Sequence, residues 1–252
     1  MDTNRIVLIT GGTSGIGLGT IAYLLKKGGY QVISLSRNEK RAQEAQEKLG
    51  DLGNDVDFLL GDVSDERDLA RLYEGVEKKY GRLDGLVSGA GIIKLGGVET
   101  QTIEDWDRLF AVNLRGPFLL VKTFLPLLKK GRNASIVNIS SMASQRVGGS
   151  IASSASKAGL DALTKYLAQE LGKYQIRVNS INPGAVYTNI YVASGDYTQK
   201  GYDQWSEKKA PGYPLGRIGR PEDLAPAIEF LLSELSLWQT GDIILVDGGK
   251  SI

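Results

Sequence analysis

An apolar run, Ile6-Val7-Leu8-Ile9, opens into Gly11-Gly12-Thr13-Ser14-Gly15-Ile16-Gly17, and a helix-forming segment follows as far as Lys27. A short continuous run rich in β-branched residues suits a strand buried on both faces, as in a parallel sheet. Glycines at 11, 15 and 17 let the backbone turn tightly and approach a diphosphate, which the N-terminus of the next helix then stabilises. The spacing is GxxxGxG rather than the commoner GxGxxG. Gly28-Gly29 ends the helix.

The same alternation repeats along the chain. Further strands are predicted at 31–36, 56–60, 83–88, 135–139, 177–181 and 242–246. Between them lie a helix capped by Asn38 and running to 49, and one with a plain Ser64 cap. A long helix at 102–129 is expected to be kinked by Gly116-Pro117, and another runs behind Ser153 to about 174. Strands alternating with helices imply an α/β fold: a Rossmann-type, doubly wound parallel sheet of about seven strands with helices on both faces. Residues 1–252 read as a single domain. Segment 187–217, with five tyrosines, Trp205 and several Gly and Pro, is expected to be a substrate lid.

Composition narrows the chemistry. Thirty basic and twenty-nine acidic residues give a net charge of +1, so nucleic acid or an anionic membrane would need a local basic patch. The absence of cysteine and histidine removes disulfides, thiolate catalysis, the Ser-His-Asp triad and most zinc or iron sites. Acid-base work falls to Lys, Tyr, Ser, Asp or Glu. No metal is expected. No signal-like segment precedes Arg5 and no apolar run reaches about eighteen residues, so a cytoplasmic location is expected.

Two places carry chemistry. Ser153 and Lys157 stand four residues apart at the start of a helix, on one face. At the end of the second strand, where an acidic residue would bond the ribose hydroxyls of NAD, stand Ser36 and Arg37. A guanidinium pairs with a 2′-phosphate that a carboxylate would repel, so NADP(H) is the expected cofactor.

Taken in order, TGGTSGIG at 10–17, Asp62-Val63, SGAG at 88–91, Asn113 within VNLRG, Ser140-Ser141, SASK ending at Lys157, Asn182-Pro183-Gly184, GRPEDLA at 219–225 and VDGG at 246–249 resemble the short-chain dehydrogenases/reductases. The resemblance covers essentially the whole chain. It implies that Gly11, Thr13, Ser14, Gly15, Ile16 and Gly17 cradle the pyrophosphate and nearby ribose, that Asp62 and Val63 contact the adenine, and that Ser88, Gly89, Ala90 and Gly91 line the cofactor cleft. It also implies that Asn113 holds a water linking Lys157 to solvent, that Ser141 bonds the substrate oxygen, and that Lys157 binds the nicotinamide ribose. Pro183, Gly184, Val186 and Thr188 are implied to pack on and bond the carboxamide. The resemblance further implies a small-molecule substrate and a homodimer or homotetramer formed through helices 102–129 and 155–174.

The family pattern YxxxK has a tyrosine where this chain has Ser153, and its NNAG is altered here to Ser88-Gly89. A phenol beside an ammonium is a usable acid, whereas a serine hydroxyl is less acidic and falls short of the substrate by one to two hydrogen bonds of about 2.8 Å. Three explanations stand. Ser153 is an engineered, inactivating change in a carbonyl reductase. Or another donor serves, Tyr187 first and Tyr191 second. Or the substrate, an enone or a protonated imine, needs little acid help. The reading is an NADPH-dependent reductase with an atypical proton donor. The alternative is a cofactor-binding protein without redox turnover.

Overall fold

The computed structural model describes residues 4–146 and 150–252. Seven strands form one parallel sheet in the order β3-β2-β1-β4-β5-β6-β7: β1 Arg5–Thr10, β2 Tyr30–Ser36, β3 Val56–Leu60, β4 Gly85–Ser88, β5 Ser135–Ile139, β6 Arg177–Pro183 and β7 Ile243–Val246. The helices are α1 Gly15–Lys27, α2 Glu39–Leu49, α3 Glu66–Tyr80, α4 Ile103–Phe110, α5 Gly116–Leu128, α6 Ile151–Leu171, α7 Ile190–Ala193, α8 Gln199–Lys209 and α9 Pro221–Leu232.

Successive side chains of a strand point to opposite faces, and β1 divides accordingly. Ile6 and Leu8 pack with Leu69 and Leu72 of α3 and Phe124 of α5. Val7 and Ile9 pack with Ile21 and Leu24 of α1 and Ile228 of α9. Each such fully buried aliphatic side chain stabilises the fold by about 1.5–3 kcal/mol. The strand order reverses between β1 and β4, which opens a crevice at their carboxyl ends. There the Thr10 hydroxyl accepts from the Gly89 and Ala90 amides, both at 3.1 Å, and joins the two strand ends.

Asn38 caps α2 as predicted, accepting from the Arg41 amide. The cap of α3 is Asp65, not Ser64, whose hydroxyl bonds Asp62 instead. The expected kink at Gly116-Pro117 takes another form. Residues Ala111–Arg115 form a π-turn between α4 and α5, closed by the Gly116 amide on the Ala111 carbonyl. Pro117 has no N–H to give the Asn113 carbonyl, so ordinary α-helical bonding fails at that turn. The continuous helical segment 103–128 is long and apolar enough to cross a membrane by length and composition, although no such run was expected. Yet 56% of its most apolar stretch is buried inside the fold, as in a core helix. Segment 187–217 holds α7, α8 and a single 3-10 turn at Ala210–Gly212.

Candidate active site

A cleft of about 510 Å³ runs along the carboxyl ends of the strands. Because β2, β1, β4, β5 and β6 lie side by side in that order, their C-terminal loops meet it in sequence. Arg37 follows β2, Gly11 follows β1, Gly89 and Gly91 follow β4, Ser141 follows β5, and Pro183 and Gly184 end β6. Ser14, Gly15, Ile16 and Gly17 line it from the start of α1, and Ser153 and Lys157 from the start of α6. Val186, Thr188 and Tyr191 line it from the segment that follows β6.

The glycine turn is held by backbone contact. Gly11 has φ +73, and a methyl group at Gly17 would lie 2.4 Å from the Gly11 carbonyl oxygen. Only hydrogen fits there, so the turn stays tight and the first amides of α1 face the cleft. Arg37 stands at the far end with its guanidinium 3.4 Å from Asp62. Arg41, also on the cleft wall, is a second cation that the sequence reading missed. Its signal was available: it lies one helical turn beyond Arg37, where the Asn38 cap starts α2. Tight backbone, free helix amides and two guanidinium groups form a donor set that fits a phosphorylated dinucleotide.

At the other end, the Lys157 ammonium donates to the Ile139 carbonyl at 2.6 Å. Burial pushes its pKa down to about 8, and the charge of Asp161 opposes that fall. Ser141 Oγ accepts from the Ala143 amide at 3.1 Å, which leaves its own proton free to donate. Ser150 caps α6 by accepting from the Ser153 amide, and this presents the Ser153 side chain to the cleft.

Several expected residues are engaged elsewhere. The Asn113 side chain is fully buried and spent on Ile92, accepting from its amide at 2.9 Å and donating to its carbonyl at 3.0 Å, with Ser156 as a third partner. Ser36 turns inward onto the Asn38 backbone. Val63 and Ala90 pack in the core, and Ser88 is buried. Thr13 does not line the cleft. Burial pushes the Asp62 carboxyl up, but hydrogen bonds from Ser64 and the charge of Arg37 more than offset this and hold it below the usual range.

Tyr187 was the first alternative donor, and the structure turns it away. Its hydroxyl donates to Asp203 and accepts from Gln199 at 2.9 Å, its ring stacks on Tyr202, and it does not line the cleft. Tyr191 does line it, its ring held against Tyr197, Tyr202 and Trp205. Burial and the neighbouring tyrosines push the Tyr191 phenol up to about 12.

A family model described as enoyl-(acyl carrier protein) reductase matches residues 11–251. The chain is 36% identical to a 3-oxoacyl-[acyl-carrier-protein] reductase FabG of Thermotoga maritima, over 98% of each chain. It is 30% identical to versicolorin reductase 1 of Aspergillus parasiticus, over 97% of this chain and 95% of that one. The ligand-free aldohexose dehydrogenase of Thermoplasma acidophilum superposes with a TM-score of 0.87 at 28% identity, covering 99% of this chain and 95% of that one. With its seven-stranded parallel sheet and a cleft at the point where the strand order reverses, the chain belongs to the short-chain dehydrogenase/reductase family of oxidoreductases.

Proposed function

We propose that the chain is an NADPH-dependent reductase acting on a small-molecule C=O, or on an activated C=C or C=N, with Lys157 rather than a phenol as the proton source. The observation that carries this reading is one unbroken cleft reaching from Arg37 and Arg41 to Ser141, Ser153 and Lys157. When bound, the nicotinamide supplies the hydride. Arg37 and Arg41 hold the 2′-phosphate, and the glycine turn holds the diphosphate. Ser141 donates its free proton to the substrate oxygen and fixes the carbonyl.

An acid is most useful when its pKa lies near the working pH. Lys157, at about 8, meets that condition, whereas Tyr191, at about 12, does not. The proton passes from the Lys157 ammonium through a water resting on the Ser153 hydroxyl to the oxygen that becomes the alcohol. Lys157 is left neutral and is recharged from solvent through the open cleft. Orientation of the reactants supplies the rest of the rate enhancement.

NADPH consumption against a panel of ketones, β-keto thioesters, enones and imines tests the proposal. β-Keto thioesters belong on the panel because of the names of the relatives above. Tight NADPH binding with no turnover on any of them would favour a cofactor-binding protein without redox activity. Absence of affinity for either nicotinamide dinucleotide would end both readings. Two copies pair through helices 102–129 and 155–174 in this proposal, whose outer faces expose Phe118 and Tyr166. Sedimentation velocity reads that state directly.

A further inference from the structure

One buried carboxylate beside the site has no part in the reaction described above. Asp161 lies on α6 one turn beyond Lys157, on the same face of the helix. It is 8% exposed. Oδ2 accepts from the Ser144 hydroxyl at 2.5 Å and from the Asn182 amide at 2.8 Å, and Oδ1 accepts from Ser180 at 3.4 Å. Asn182 also donates to the Ser141 carbonyl at 3.1 Å and to Ser144 at 2.9 Å. The carboxylate thus sits under the turn that carries Ser141.

All three of these partners are neutral. An asparagine at 161 would offer an acceptor oxygen of the same shape to Ser144 and Asn182. Burying a full charge costs more than burying an amide, so what aspartate adds is the charge itself. The cation nearest it along the helix face is Lys157, whose ammonium form this charge favours. The other groups around Lys157 are neutral: the Ile139 carbonyl and Ser140 from β5 and its end, Asn113 from the π-turn, and Ser153 from its own helix. The remaining charged or titratable groups of the cleft wall are Tyr191 and Lys94, the latter paired to Asp196, with Asp105 and Arg108 of α4 and Arg37 and Arg41 at the far end.

We propose that Asp161 is a positioning residue that keeps Lys157 in its ammonium form and fixes the turn bearing Ser141. One buried carboxylate thereby sets both the proton source and the substrate anchor. The proposal rests on the reductase reading for its consequence in catalysis, but its test does not. The fall of the Lys157 pKa on burial, opposed by Asp161, agrees with it.

The test is a pH titration of the side-chain NMR signals of the full chain labelled with ¹³C-lysine, the Lys157 signal being assigned by its loss in Lys157→Arg. Asp161→Asn is expected to lower the Lys157 midpoint by about one pH unit. Ser144→Ala, which keeps the charge and loosens the turn, is expected to leave the midpoint in place. On any substrate that turns over, Asp161→Asn moves the alkaline limb of kcat toward neutrality, while Ser144→Ala raises KM. Asp161→Ser, neutral and smaller, serves if the asparagine variant does not fold. An unmoved midpoint in a folded neutral variant overturns the proposal. Equal shifts in Asp161→Asn and Ser144→Ala also overturn it, because hydrogen bonding alone would then account for both. The titration needs neither NADPH nor turnover, so a chain that oxidises no NADPH sinks the reductase reading while the midpoint still decides the role of Asp161.

Discussion

The two ends of the cleft are built on different physics. At the diphosphate end the determinants are backbone: Gly11 at φ +73, Gly17 pressed against the Gly11 carbonyl, and the first amides of α1. At the reacting end the determinants are side chains whose partners come from distant parts of the chain: Ile139 for Lys157, Asn182 for the Ser141 turn, Ile92 for Asn113. Backbone sites tolerate almost no substitution and leave a local signature. Side-chain sites can lose one group and recruit another, so the Ser153 end is where chemistry can diverge while the cofactor end stays fixed.

The largest effect is expected where backbone meets backbone. Gly17→Ala places a methyl group 2.4 Å from a carbonyl oxygen that cannot move without opening the turn. It is expected to cost about 3 kcal/mol of stability and to abolish detectable NADPH binding by calorimetry. Normal binding in that variant would break the contrast outright. At the opposite end, Ser153→Tyr fills the space of the relaying water and is expected to lower the native rate by about 10²-fold, the lower end of what a positioned proton path is worth. A rise in carbonyl reduction by orders of magnitude would mean instead that the serine stands in place of a lost general acid and that Lys157 is not the proton source.

What could be read in advance follows the same division. The sheet, six of its strands after the first, and the Asn38 cap lie in local pattern, because burial on both faces of a parallel strand writes itself as a short apolar run. The Asp65 cap was missed since Ser64, Asp65 and Asp68 are all competent cap residues, and only the bond from the Ser64 hydroxyl to Asp62 chooses among them. The π-turn at Ala111–Arg115 was read as a proline kink. Both disturb the same carbonyls, but the sequence does not say which residue absorbs the extra step. Its place just after Pro183-Gly184 put Tyr187 ahead of Tyr191, but its hydroxyl is engaged by Asp203, a turn into α8, which no local pattern announces. Asp161 carried a usable signal in its spacing, four residues beyond Lys157 on one helix face.

A smaller effect is expected at Arg37. A charge-assisted hydrogen bond is worth about 1.5–3 kcal/mol, so Arg37→Asp is expected to weaken NADPH binding by roughly 10- to 100-fold and leave NADH binding little changed. Arg41 remains on the wall and keeps part of the preference. Dissociation constants for both cofactors, measured side by side, decide this. An unchanged ratio would remove Arg37 as the reason for any preference and move attention to Arg41.

The finest discrimination lies within segment 187–217. Tyr187→Phe deletes a hydroxyl that faces Asp203 and Gln199 near the surface, and it is expected to change kcat/KM by no more than about two-fold, within the ±0.5 kcal/mol usual for surface positions. Tyr191→Phe keeps the ring that packs on Tyr202 and Trp205 and removes only the hydroxyl of this cleft-lining residue. If Lys157 supplies the proton, this variant alters KM by a few-fold and leaves kcat nearly intact, since only substrate contact is lost. If the phenol is the donor, kcat falls by about 10²-fold or more, and an alkaline limb set by Lys157 gives way to one set by another group. The pair of variants therefore separates a lid that packs from a lid that reacts, and the size of the Tyr191 effect on kcat alone decides between them.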